Sequence, residues 1–149
     1  MRDDEIPNTD HVARLCRYTT LNEEGCPGPA AFTLRESELY LSINWLEYFR
    51  YDTSEKAVEK ISSVLRKKRT VKSSARIAVI NIGEMKQKVY DETSDKRNLS
   101  VKHKPTKKDT SYGGVYNFRF DEELIPVLIC QTIKEIHPAC IPQEKAKKV

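Results

Sequence analysis

No run in this 149-residue chain approaches the roughly 18 consecutive apolar residues a membrane span needs. The opening "MRDDEIPNTDHVARL" is acidic and polar where a secretory leader would be basic and then apolar. The expectation is a cytoplasmic protein with no membrane partner, so its four cysteines, Cys16, Cys26, Cys130 and Cys140, are expected as reduced thiols. Nine residues separate the two cysteines of each half, against the two to four that structural zinc sites use, which argues against a structural zinc site. Glycine is scarce, and none of the five forms a phosphate-cradling loop; G-x-S-x-G, H-E-x-x-H and clustered carboxylates are also missing. These absences remove the common hydrolase, metalloprotease and nucleotide-triphosphatase signatures and leave no cofactor indicated.

Hydrophobic residues make up 38% of the chain, enough for one buried core. The expected organisation is a single domain over 1–141 followed by a basic, flexible tail over 142–149. The 26 basic and 22 acidic side chains leave a net charge of only +4, so any argument for an anionic partner has to rest on pattern. The pattern is uneven. "RKKRTVKSSAR" (66–76) and "KRNLSVKHKPTKK" (96–108) each hold six basic residues and no acid.

Periodicity predicts an α+β chain. "AAFTLR" (30–35) reads as a strand and "LYLSIN" (39–44) as a second strand or a short turn, each after a breaker-rich or charged-turn segment. In "YDTSEKAVEKISSVLRKK" (51–68) Ala57, Val58, Ile61, Val64 and Leu65 recur at helical spacing, Asp52 and Glu55 form an N-capping pattern, and the basic end suits the helix dipole. "RIAVINIG" (76–83) reads as a central strand buried on both faces, and "NLSVKH" (98–103) as a half-buried one. "PVLICQTIKEIH" (126–137) predicts a last helix, with Ile129, Ile133 and Ile136 on one face and Pro138 as its stop. Cys130, within it, reads as a small core hydrophobe. Together these give a small mixed or antiparallel sheet of three to five strands packed by two or more helices.

Five blocks, "DHVARLCRY", "AAFTLRESELYLSINWLEYF", "VINIG", "LSVKHKPTKKDTSY" and "IHPAC", resemble the shared pattern of an uncharacterised family of small bacterial proteins. Tyr112 stands where similar sequences more often carry histidine. The resemblance implies a bacterial source, a compact domain and a setting in antiviral defence or mobile elements; it supplies no activity.

"KHKPTKKDTSYGG" (102–114) is the segment richest in chemistry. His103, oriented by Asp109 and close to Ser111, could serve as a general base or ligate a metal, with His11 joining from the first block beside Arg14 and Cys16. Against this stands a basic loop with an exposed His103, in which Asp109 and Ser111 cap backbone amides and Gly113 and Gly114 turn the chain. Trp45 reads either as core or as the centre of an aromatic partner patch with Tyr48 and Phe49. Beside it, Asn44 and Glu47 need polar partners, with Arg35 and Glu38 as candidates. Lys102, Lys104, Lys107 and Lys108, together with Arg66, Lys67, Lys68 and Arg69, could track phosphates while Tyr112 and Tyr116 stack bases. The leading expectation is a non-catalytic binding or accessory subunit of a bacterial multi-protein system, its protein partner encoded nearby. The alternatives are a nucleic-acid-binding protein using 66–76 and 96–108, and a small hydrolase or transferase centred on His103 and Asp109.

Overall fold

The computed structural model describes residues 4–139. In chain order the elements are β1 (His11–Cys16), β2 (Leu41–Trp45), α1 (Ser54–Lys68), β3 (Arg76–Asn81), α2 (Ile82–Glu92), β4 (Ser100–His103), β5 (Tyr112–Tyr116), α3 (Leu124–Cys130) and β6 (Ile133–Pro138). The strands form one sheet in the order β4-β5-β2-β1-β3-β6, and every neighbouring pair is antiparallel. Among the described residues no helix is long and apolar enough to cross a membrane.

Side chains alternate across the strands and divide between two cores. Val12, Ile43, Ile80, Val101 and Val115 point to one face, where they pack with Ile82, Met85 and Val89 of α2 and Ile125, Leu128 and Ile129 of α3. Ala13, Ile77 and Val79 point to the other, where they meet Ala57, Val58, Ile61 and Leu65 of α1. That stripe holds α1 in place, each large aliphatic contributing about 1.5–3 kcal/mol on burial. The second core contains no residue from β2, β4 or β5. Among the described residues the apolar stripe of α1 therefore covers β1 and β3, and only its C-terminal end, through Lys68, reaches the β2-β5-β4 half of that face. The free edge of β4 is met by the segment before β1, through the bridge of Glu5 with Lys102 and the Ile6 amide donating to the Val101 carbonyl at 2.9 Å.

The sheet has six strands, one more than the upper expectation. Three of them, β1, β5 and β6, fall outside the predicted strands. β1 lies between β2 and β3 and β5 between β2 and β4, each paired on both sides, while β6 pairs along β3 where the expected last helix would continue. The expected turn at Gly113 and Gly114 is the middle of β5. A Cβ on Gly113 would stand 2.5 Å from the Lys102 carbonyl oxygen, and one on Gly114 2.4 Å from Cδ1 of Tyr40, so both glycines serve close approach.

The expected helix over 126–137 is two elements. Helix α3 stops at Cys130, where the Thr132 hydroxyl and amide both donate to the Ile129 carbonyl, and β6 pairs along β3. The 30–35 strand is instead a short 3₁₀ turn over Pro29–Phe32 that buries Ala31 and Phe32. Helix α1 is capped by Thr53, whose hydroxyl accepts from the Lys56 amide at 3.2 Å, while Asp52 pairs with Lys56. "RIAVINIG" divides at Asn81, whose side chain accepts from the Glu84 amide at 2.9 Å and starts α2. Cys140 and the tail over 142–149 lie outside the described residues.

Candidate functional site

His103 ends β4 and is 6% exposed, so the expectation of an exposed ring on a solvated loop does not hold. Its ring sits 5.1 Å from Trp45 and 5.2 Å from Tyr48, and Nε2 donates to the Thr110 carbonyl at 2.8 Å. A carbonyl only accepts, so Nε2 carries the proton and is committed to fastening the 104–111 loop.

Asp109, fully buried, does not bond His103. Its Oδ1 accepts from Asn44 Nδ2 at 2.8 Å and from Ser111 Oγ at 3.4 Å, and its Oδ2 accepts from Lys68 Nζ at 3.0 Å. Asn44 Nδ2 also donates to Ser111 Oγ at 2.9 Å. The partners of Asn44 are therefore Asp109 and Ser111 rather than Arg35 or Glu38. The network ties β2, the loop and the C-terminal end of α1 together.

His11 belongs to a separate group. Glu47 accepts from the His11 amide at 2.8 Å through Oε1 and meets His11 Nδ1 at 2.6 Å through Oε2. Trp45 is half-buried against the α2/α3 core and donates through Nε1 to Asp10 at 2.9 Å. Cys16 is buried, and burial pushes its thiol up to about 11, which removes it as a nucleophile near neutral pH. Cys130 is half-buried, its thiol also raised by burial. Among the described residues no three His, Cys, Asp or Glu side chains are placed to hold a metal ion.

The uncovered sheet face is built differently. Alternation puts Tyr112, Gly114 and Tyr116 of β5 on it, since Val115 points into the opposite core. Tyr40 precedes β2 and lies on Gly114, with its ring 5.0 Å from Tyr116 and 6.3 Å from Tyr112. Lys68 Nζ stands 5.0 Å from the Tyr112 ring centre, Lys102 5.3 Å from Tyr116, and Lys104 5.6 Å from Tyr40 and 5.8 Å from Tyr116, all within cation–π range. All six side chains are half-buried. The Tyr112 hydroxyl is hydrogen-bonded to the Tyr40 hydroxyl at 3.2 Å and meets Ser42 Oγ at 2.7 Å. That hydrogen bond and burial push the Tyr40 phenol up to about 12, so it stays a neutral hydroxyl.

Beside this face a cleft of about 430 Å³ opens between α1 and the sheet. Arg14, Arg17, Arg35, Lys68 and Arg69 line it, with Glu38 as its one carboxylate. Lys67, Lys107 and Lys108 are exposed, and Arg66 is half-buried on α1. Tyr112 and Tyr116 stand out for stacking from the sequence alone, whereas Tyr40, Arg17 and the Lys68–Asp109 pair do not. Tyr40 had a signal, because it shares the parity of Ser42 and Asn44. The other two depend on the meeting of segments far apart in the chain.

No protein-family model matches the chain, and no curated protein and no solved structure matches it significantly.

Proposed function

We propose that the chain is a non-catalytic binding subunit whose ligand is single-stranded nucleic acid, taken along the uncovered half of the sheet. The observation that carries this reading is the cluster of Tyr40, Tyr112 and Tyr116 on one sheet face with Lys68, Lys102 and Lys104 at 5.0–5.8 Å from their rings. Every base has a π-face, so a tyrosine platform accepts bases without reading their edges. Lys102, which rests on the Tyr116 ring in the free protein, can swing to a phosphate as a base replaces it, while Lys68 stays paired with Asp109, giving the strand both stacking and charge neutralisation. A duplex keeps its bases stacked internally and gains only the charge term. The bacterial multi-protein setting, in defence or on a mobile element, belongs to the same proposal and rests on the sequence resemblance.

The hydrolase or transferase reading draws no support from the geometry, because His103 and Asp109 spend their hydrogen bonds on different partners.

Fluorescence anisotropy with labelled oligonucleotides tests the proposal. Single strands should bind more tightly than the matching duplex, and Tyr116→Ala should weaken single-strand binding by about tenfold, as for loss of one stacked base. Absence of oligonucleotide binding at about 50 mM salt, where phosphate contacts are strongest, would overturn it. The face would then belong to an acidic protein partner.

A further inference from the structure

We infer that the cleft between α1 and the splayed strands β1 and β2, together with the apolar pocket adjoining it, binds a nucleoside phosphate: the phosphate in the cleft and the base in the pocket. The inference stands apart from the sheet-face reading, although the two sites adjoin.

The cleft exists because β1 leaves β2 early. The two strands pair only at Val12 with Trp45 and Ala13 with Asn44, whereas β1 and β3 stay paired from His11 to Cys16. Beyond Ala13 a guanidinium fills the gap. Arg14 Nη1 donates to the Ser42 carbonyl at 2.8 Å and Nε to the Ala31 carbonyl at 2.9 Å. These bonds satisfy backbone oxygens but do not neutralise the cation. Burial lowers the Arg14 pKa from its ordinary value, the mark of a charge short of solvent. No carboxylate among the described residues forms an ion pair with Arg14, Arg17 or Arg69. Glu38 already accepts the Arg35 amide at 2.7 Å, and Lys68 is held by Asp109. Three guanidinium groups in no ion pair among the described residues, converging on one concavity with Glu38 as its only carboxylate, fit a dianionic phosphate with several peripheral oxygens.

The adjoining pocket, about 670 Å³, shares Leu15, Arg17, Thr19 and Arg69 with the cleft and adds Tyr18, Val71 and Ala75. Both volumes fall in the range of small-molecule sites. The group attached to the phosphate therefore meets aliphatic side chains, one tyrosine ring that is 67% exposed, and guanidinium groups that stack on aromatic planes. A planar heteroaromatic base satisfies that lining. Inorganic phosphate uses the cleft alone, and an uncharged nucleoside uses the pocket alone.

Two sources present this chemistry: a free nucleotide and the phosphorylated end of a strand. Calorimetric titration of the full chain should show adenosine or uridine mono- or diphosphate binding at least about tenfold more tightly than the nucleoside or inorganic phosphate, as expected when charge-assisted bonds and stacking combine. Arg17→Ala and Arg69→Ala, which remove no ion pair among the described residues, should each lower nucleotide affinity at least about tenfold with little change in melting temperature. Tyr18→Ala should weaken the nucleotide and leave phosphate affinity unchanged. Competition between 5′-phosphorylated, 3′-phosphorylated and unphosphorylated oligonucleotides separates the sources. A preference for one phosphorylated end, removed by Arg69→Ala, assigns the site to strand ends, and nucleotide binding without that preference assigns it to a free nucleotide. If millimolar nucleotide does not bind and the three oligonucleotides bind equally, the inference is overturned, while the sheet-face reading survives on the affinity of those same oligonucleotides.

Discussion

Asp109 is fully buried, and its carboxylate is divided between two neutral donors, Asn44 and Ser111, and one ammonium, Lys68. Removing the ammonium alone strands the carboxylate, so Lys68→Met should destabilise the fold by about 2–3 kcal/mol, less than for a wholly buried pair because the Lys68 side chain keeps some exposure to water. Adding Asp109→Asn should recover part of that loss, since an amide can stay buried on the same neutral partners. Urea denaturation of the wild type, both single variants and the double variant checks this. A double variant no better than Lys68→Met would mean that packing of the lysine stem, rather than its charge, holds the loop. At this scale the sequence was half legible. Asp109, Ser111 and His103 stand out because they lie within nine positions, but Lys68 is 41 residues from Asp109 and Asn44 is 65, and only the closed sheet brings them together.

Elements were legible in proportion to how much of their stability is local. Helix α1 carries its own cap, an apolar stripe and a basic C-terminal end, so it could be read directly from the chain. Helix α2 also had a signal, the Asn81 side chain placed three residues before Glu84, but it was masked by the apolar run that reads straight through into "NIG". Over 126–137 two periods coexist: Ile129, Ile133 and Ile136 fit a helix, while Ile133, Glu135 and His137 alternate as a strand. Pairing with β3 decides between them, and no local pattern reports that pairing. Strand β5 was least legible, because Gly113 and Gly114 signal a turn unless the close neighbours are known. Its two glycines should respond differently to alanine. At Gly113 the new Cβ meets backbone, the Lys102 carbonyl at 2.5 Å, so the β4–β5 pair must shift, at a cost of about 1–3 kcal/mol. At Gly114 it meets the Tyr40 ring, a side chain that can swing away. Gly114→Ala should therefore cost less stability than Gly113→Ala yet weaken single-strand binding more. Thermal melts and anisotropy on the two variants measure both, and the opposite ranking in binding would separate Tyr40 from the ligand platform.

For the whole molecule, the distribution of charge matters more than its sum. A net charge of +4 over 149 residues is too small to explain strong attraction to phosphate. Yet α1 covers only half of its face of the sheet, and the open half collects Lys68, Lys102 and Lys104 next to the cations of the cleft. Lys68 is paired there with Asp109 at 3.0 Å, and on the other side of the sheet Lys88 and Lys134 stand 3.8 and 4.0 Å from Glu92 and Glu84. Pattern and net charge can be separated by two double variants that remove the same charge. If the face binds the strand, Lys102→Ala with Lys104→Ala should flatten the plot of log affinity against log salt by about 1.4, or about 0.7 for each phosphate of a single strand that is no longer neutralised. Lys88→Ala with Lys134→Ala should leave that slope unchanged, because charges more than a Debye length from the strand, about 10 Å at 0.1 M salt, are screened. Equal flattening in both variants would mean that the chain attracts nucleic acid only through its total charge, and the tyrosine face would lose its place as the binding surface.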